Sequence, residues 1–262
     1  KMLEGGEDLT KRKNAHQQPT TLYNGMIHAL VGYSMRGAIW YQGESNDAEP
    51  DRYRTFLPML IDDWKRAFER AEFPFGVVQL AAYKAERDDL PAEGGWARLR
   101  DAQAAAAFEI PQVGLVVTTD IGDANDIHPR NKREVGRRMS LWALAEAYGL
   151  AVPGSESPRV EEVSRIDGPE GVTAFRVTVD DSGDGLKTTN EAPPRGFAVS
   201  GPSGEFRWAE ARLEPDGRSI VVWSPEIPNP VGICFAWQNN PVRANVTNAA
   251  GLPLVPFRID AP

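Results

Sequence analysis

Three short, predominantly apolar runs, each followed by a segment of helical period, constrain this chain more than any other feature. They are Gly37-Ala38-Ile39-Trp40-Tyr41, Phe75-Gly76-Val77-Val78-Gln79-Leu80 and Val113-Gly114-Leu115-Val116-Val117-Thr118. The segments between them repeat apolar residues every three or four positions. From Tyr53 to Glu69 these are Phe56, Leu57, Leu60, Ile61, Trp64 and Phe68, and from Asn131 to Tyr148 they are Val135, Met139, Trp142 and Tyr148. The stretch Trp96 to Phe108 is Ala-rich and also reads as helix. Continuous apolar strands alternating with helices predict a parallel sheet covered on both faces. Such sheets bind ligands beyond the carboxyl ends of their strands. The two most unusual segments follow Tyr41 and Thr119, at two of those ends.

The rhythm changes after Val152-Pro153-Gly154. Phe175-Arg176-Val177-Thr178-Val179 alternates with period two, and Ser219-Ile220-Val221-Val222-Trp223 is a β-branched run. Gly and Pro turns recur between such runs, as in Ser182-Gly183-Asp184-Gly185, Pro215-Asp216-Gly217 and Pro228-Asn229-Pro230. Short strands punctuated this way predict an all-β sandwich. The expected organisation is an α/β domain over 1–152 and a β-sandwich accessory domain over 153–262, and a chain of 262 residues is long enough for both.

Composition excludes some partners. With a net charge of −8 and no dense basic cluster, the chain is not expected to follow a nucleic-acid backbone. The run Lys11-Arg12-Lys13 reads as solvated surface or a flexible end. No stretch approaches the length of an apolar membrane span, so no membrane partner is expected. No signal peptide is legible, and Lys1 does not resemble a natural start. The one cysteine, Cys234, lies in the apolar run Val231 to Trp237 and reads as a small core residue. Lack of an intrachain disulfide suits the cytoplasm and many exported bacterial enzymes alike; the location expected is periplasmic or secreted.

Of three histidines, His16 lies in a polar stretch and His28 in an apolar one, Met26-Ile27-His28-Ala29-Leu30. His128 differs. It follows the third apolar run across a loop containing Asp120, Asp123, Asn125 and Asp126, with Pro129 behind it. A carboxylate that holds one imidazole N–H and stabilises the imidazolium is the usual companion of a histidine general base. A metal site is the rival reading of the same acidic loop, although a second histidine or a cysteine at ligand spacing is missing. The other segment is Trp40-Tyr41-Gln42-Gly43-Glu44-Ser45-Asn46. Gly43 permits close backbone approach, while Gln42 and Asn46 offer neutral N–H donors of the kind that stabilise an oxyanion. A polar turn after a strand is the alternative.

Together these segments resemble the sialate O-acetylesterase family, a branch of the SGNH (GDSL-like) hydrolases. The resemblance rests on Leu22-Tyr23-Asn24-Gly25-Met26-Ile27, on Gly37 through Asn46, on Asp126-Ile127-His128-Pro129-Arg130-Asn131-Lys132 continuing to Arg138, and on Phe235-Ala236-Trp237 and Gly251 through Arg258 near the end. It implies a flavodoxin-like parallel sheet and hydrolysis of O-acetyl esters on sugars without metal or cofactor. A serine attacks the acetyl carbonyl, a histidine takes its proton, and an acetyl-enzyme forms. Carried over by position, His128 is the base, Gln42 and Gly43 belong to the oxyanion hole, and Glu44, Asn46 and Arg100 are candidates for substrate binding. A structural salt bridge is the alternative for Arg100. The position three before the histidine, commonly Asp, is Asn125 here, so Asp126 is taken as the acid, with Asp120 and Asp123 further back. The serine block is expected upstream, in a segment or chain beyond these residues. Ser34, in Gly32-Tyr33-Ser34-Met35-Arg36-Gly37, precedes a strand, whereas a nucleophile turn should follow one, and Ser45 fits no better. The alternatives are a non-catalytic carbohydrate-binding protein that keeps the fold and a metal-dependent hydrolase. Trp208 and Trp223 read either as sandwich core or as platforms for sugar rings.

Overall fold

A computed structural model describes residues 18–85, 95–180 and 183–260. The three apolar runs form three parallel strands, β1 (Ala38–Trp40), β2 (Phe75–Val78) and β3 (Val113–Val116), adjacent in the order β1-β2-β3. Helices α1 (Pro50–Ala67), α2 (Gly95–Glu109) and α3 (Lys132–Glu146) follow them in turn. The first helix begins three residues before the expected Tyr53 because Pro50, with no N–H to satisfy, occupies its first turn.

Strand alternation divides the helices between the two faces. Phe75, Val77, Val113 and Leu115 pack with Tyr53, Leu57 and Ile61 of α1 and with Trp96, Leu99 and Ala102 of α2. Val78 and Val116 point the other way, onto Val135, Met139 and Trp142 of α3. On that second face Gly76 and Gly114 are register partners. A Cβ at Gly114 would fall 1.8 Å from Trp142 Nε1, and one at Gly76 would fall 2.6 Å from Met139 Sδ. The paired glycines thus form a notch that admits the Trp142 indole, and this contact seats α3 on the sheet.

The remaining strands are β4 (Arg159–Asp167), β5 (Thr173–Asp180), β6 (Leu186–Thr188), β7 (Phe197–Ser200), β8 (Phe206–Trp208), β9 (Glu210–Leu213), β10 (Ser219–Trp223), β11 (Gly232–Phe235), β12 (Val246–Asn248) and β13 (Phe257–Asp260). Two four-stranded antiparallel sheets, β4-β5-β10-β9 and β13-β11-β7-β8, enclose a core that includes Phe175, Val177, Ile220, Val222, Phe197, Val199, Ile233 and Phe235. β6 and β12 pair separately. This is the expected sandwich following an α/β sheet covered on both faces.

The two halves share buried contacts. Ala97 of α2 packs with Ala198, Phe206, Cys234 and Trp237, and Val255 joins the core beneath α1 and α2. Cys234 is buried, and that burial pushes its thiol up to about 12, so it is the inert core residue its sequence context predicts. None of the described helices is long and apolar enough to cross a membrane.

β1 is an outer strand with no strand on its far side among the described residues. Apolar side chains crowd that flank: Ile39 and Met26 are each 63% exposed, and Leu22, Tyr23, Leu30 and Tyr33 are exposed nearby in sequence. Leu22, Tyr23, Met26, Trp40, Leu60 and Trp64 line a cleft there of about 420 Å³. Exposed apolar area of this extent marks a surface that is normally covered.

Candidate active site

Because the strands are parallel, the segments that follow them emerge at one edge of the sheet. Trp40-Tyr41-Gln42-Gly43 leaves β1 there and the His128 loop leaves β3 there. Ser34 precedes β1 and so lies toward the opposite edge, which removes it as a partner for His128. Ser45 is on the proper side, in the 3₁₀ turn Glu44–Asn46, yet among the described residues His128 makes no side-chain hydrogen bond to it.

The His128 side chain is 83% exposed at the surface of its loop. Asp126 Oδ1 accepts the His128 backbone N–H at 2.9 Å and lies 3.7 Å from His128 Nδ1. The side chain therefore folds back on its own turn, an Asx-type arrangement that fixes where the imidazole leaves the main chain. Arg130 Nε stands 3.9 Å from the other Asp126 oxygen. The remaining acids of the loop have other partners. Asp123 accepts the Asn125 N–H at 2.8 Å, and Asp120 receives both ends of the Arg138 guanidinium at 2.7 Å.

Arg138 is the anchor of this loop. Its side chain is 4% exposed, and besides Asp120 it donates to the Val117 carbonyl at 2.7 Å and to Glu134 at 2.9 Å. A bidentate guanidinium–carboxylate pair of this geometry is both strong and orientationally exact. It ties the end of β3 to α3, so that the loop carrying His128 hangs between two fixed points. Asn131 caps α3 by accepting the Glu134 N–H at 3.2 Å. The Lys132 ammonium lies 4.6 Å from the centre of the Tyr41 ring, joining the start of α3 to the end of β1.

Glu134 is held down to about 2 by hydrogen bonds from Arg137, and then from Arg138, against the opposing effect of burial. A carboxylate whose value in the folded state is depressed contributes stability that is present above its ordinary value near 4.5 and is lost as pH falls toward 2. We therefore expect wild type and Glu134→Gln to differ in chemical denaturation at neutral pH and to converge as the pH is lowered through that window. A constant difference from pH 7 to 2 would refute this role.

The Gln42–Gly43 turn is pinned from below. The Gln42 carbonyl accepts from Tyr53 Oη and from Gln103 Nε2, both at 3.0 Å, while Gln42 Nε2 donates to Asn46 Oδ1 at 2.8 Å. Trp40 Nε1 in turn donates to Tyr53 Oη at 3.1 Å. Gly43 is buried at φ +149°, and a Cβ there would fall 2.7 Å from Leu99 Cδ2. Both conformation and space require glycine at this point. Glu44 and Asn46 flank it, half-buried, in the 3₁₀ turn.

Gln103 and Tyr53 were not singled out from the sequence. Gln103 is fully buried on α2, and its Oε1 also accepts the Leu80 N–H at 2.9 Å. One amide thus joins the ends of β1 and β2. The available signal was a polar residue one helical turn from Arg100 in an otherwise Ala-rich helix. Gln103→Met leaves the Leu80 N–H buried without an acceptor, and it should cost about 2 kcal/mol. Denaturant titration measures that loss. Faster hydrogen exchange at Gly43 and Leu80 would locate it, and unchanged exchange there would overturn the assignment.

The structure corrects the reading of Arg100 as a substrate-binding residue. It is fully buried, and its guanidinium donates to the carbonyls of Leu80 and Ala81 beyond β2 and of Gln238 and Asn239 in the β-region, at 2.7–2.9 Å. Its partners are main-chain carbonyls rather than the carboxylate of a salt bridge. Burial alone lowers its value to about 9. Four carbonyl oxygens hold the charge, no carboxylate is paired with it among the described residues, and Arg100 clamps the two halves of the chain. Among the described residues no group of three His, Cys, Asp or Glu side chains is gathered to hold a metal ion.

Comparison with known proteins identifies relatives of this chain. Residues 2–144 match the family model for carbohydrate esterase, sialic acid-specific acetylesterase. Human sialate O-acetylesterase is 35% identical over 161 residues, covering 56% of this chain and 31% of that protein. The mouse protein is 37% identical over 144 residues, covering 50% of this chain and 27% of the other. This chain thus spans under a third of the length of these relatives. The crystal structure of a carbohydrate acetylesterase from Xanthomonas citri superposes with a TM-score of 0.86 at 34% identity, covering 95% of this chain and 56% of that one. The family match takes in more than half of the chain and contains both the Gln42–Gly43 turn and the His128 loop: the chain belongs to the sialic acid-specific acetylesterase family of carbohydrate esterases.

Proposed function

We propose that this chain supplies the base, the oxyanion turn and much of the scaffold of a serine-type esterase that removes acetyl groups from O-acetylated sugars. The observation that carries the reading is the convergence at one sheet edge of a histidine beside a carboxylate and a buried, pinned Gly turn. In this reading His128 takes the proton of an attacking serine and returns it to the departing sugar oxygen. Asp126 orients the imidazole; its present 3.7 Å separation shortens when the histidine becomes cationic. N–H groups of Gln42 and Gly43 receive the oxyanion, and Gln103 and Tyr53 keep that turn from yielding as charge develops. Glu44 and Asn46 contact sugar hydroxyls.

The serine is proposed to come from a segment outside these 262 residues. Among the described residues β1 has no strand on its far side, and its flank is apolar and exposed; both support this, since a further parallel strand laid against β1 would end beside Gly43. Acetate release from an O-acetylated sugar by the full-length protein tests the reading. No release, from a protein that still binds the sugar, would favour a carbohydrate-binding role instead.

A further inference from the structure

The loop that follows β2, residues 79–84, touches several parts of the molecule at once. Through Gln103, which accepts the Leu80 N–H and donates to the Gln42 carbonyl, it is joined to the turn after β1. It also meets the β-region. The Tyr83 N–H donates to the Asn239 carbonyl at 3.2 Å, and Asn240 Nδ2 donates to the Lys84 carbonyl at 3.0 Å. Arg100 binds carbonyls on both sides of that seam, Leu80 and Ala81 on one and Gln238 and Asn239 on the other. Trp96 Nε1 adds a hydrogen bond to the Ala81 carbonyl at 2.8 Å.

The same loop bears the segment that leads to His128. A Cβ at Gly122, six residues before the histidine, would fall 2.0 Å from the Ala82 carbonyl oxygen and 2.5 Å from the Ala82 nitrogen. Gly122 is not among the glycines at positive φ, so its backbone conformation is open to any residue. Space alone excludes a side chain here, and the obstacle is main chain, which cannot rotate aside. The loop after β2 thus meets the Gln42–Gly43 turn through one amide and the His128 loop by direct backbone contact, while the sandwich grips it from outside. Base and oxyanion turn take their spacing from this common support. That spacing matters, because a misplacement of about 1 Å can cost a reaction about 100-fold in rate.

We propose that Gly122 is a positioning residue for hydrolysis, and that the β-region, through Arg100 and Asn240, is the outer support of the same frame. By letting the His128 loop rest directly on Ala82, Gly122 fixes the distance from the imidazole to the Gln42–Gly43 turn. The sandwich then acts on the reaction without touching substrate. This rests on the reading of His128 as the base.

Steady-state hydrolysis of p-nitrophenyl acetate by the full-length protein tests this, with Gly122→Ala and Asn240→Leu each made in wild type and in His128→Ala. Gly122→Ala should lower kcat about 100-fold and leave KM within about twofold. Asn240→Leu removes a single hydrogen bond to the loop and should lower kcat about fivefold. If Gly122→Ala does not fold, Asn240→Leu carries the same comparison. In the His128→Ala background neither change should slow the residual reaction further, because no imidazole is left to misplace. The same fractional loss with and without His128 would mean a merely structural role and would overturn the proposal. An undiminished Asn240→Leu overturns the part given to the β-region. His128→Ala as fast as wild type overturns the base assignment and this proposal with it. A slow His128→Ala beside folded, undiminished Gly122→Ala and Asn240→Leu proteins overturns this proposal alone.

Discussion

Replacing His128 by alanine in the full-length protein is expected to lower kcat for acetyl ester hydrolysis by about 10⁴-fold, with KM nearly unchanged. The imidazole makes no contact that the fold depends on: it is 83% exposed and its main-chain N–H, rather than its ring, takes the closest contact with Asp126. Removing it should therefore leave the unfolding midpoint where it was, which separates loss of a catalytic group from loss of structure. Without a base the serine hydroxyl must shed its proton to water, and the departing sugar oxygen leaves unprotonated. In the proposed mechanism the residual rate reports what the Gln42–Gly43 turn and binding supply alone. The assay uses p-nitrophenyl acetate and an acetylated sugar in parallel. The activated ester needs no protonated leaving group, so it should be the less impaired of the two. Equal rates for wild type and variant would end the assignment of His128 as base, and loss of wild-type activity on chelation would shift the acidic loop toward metal-assisted hydrolysis.

The largest stability effect is expected at Gly114. Valine there brings a methyl-bearing Cβ to 1.8 Å from Trp142 Nε1, so the indole must leave its notch. Displacing a buried Trp forfeits burial and packing worth about 3–5 kcal/mol, and refilling the space with a strained neighbour adds about 1–3 kcal/mol. That is comparable with the whole stability of many domains, about 5–15 kcal/mol. Loss of α3 would also release Arg138 and Glu134, and with them the loop that carries His128. Guanidinium titration followed by Trp fluorescence measures the effect. The control is Gly136→Ala on α3, where an added Cβ meets nothing within 4 Å; it should stabilise by about 1 kcal/mol. A Gly114→Val protein as stable as wild type would show that the notch is not what seats α3.

These two glycines show why only part of the architecture was legible. Both occur in segments whose elements the sequence predicted, a strand and a helix. Nothing in the one-dimensional pattern says that Gly114 needs its lack of a side chain and that Gly136 does not. The difference lies in what stands opposite, and that is a property of register between β2, β3 and α3.

Arg100 and Gln103 carry the same lesson at the site. Charged and amide side chains near a ligand edge suggest contact with substrate when only residue type is known. In the folded chain the Arg100 guanidinium is committed to four carbonyls, two of them well over a hundred positions away in sequence, and Gln103 is committed to Gln42 and Leu80. Partners at that separation leave no local signal, because neither periodicity nor motif spacing encodes them. Trp208 and Trp223 divide between the two sequence readings: both are largely covered by the sandwich, yet both line an open cleft.

By itself the sequence determined the strands and helices of the α/β half, their order, and the side of the sheet on which the loops after its strands emerge. Apolar period distinguishes parallel strand from amphipathic helix, and parallel strands send the loops that follow them to one side. The family blocks around Gln42 and His128 lie in those loops. Only the tertiary structure decided which polar side chains hold the frame, since that depends on the acceptors within about 3 Å of each donor, and folding alone brings those together.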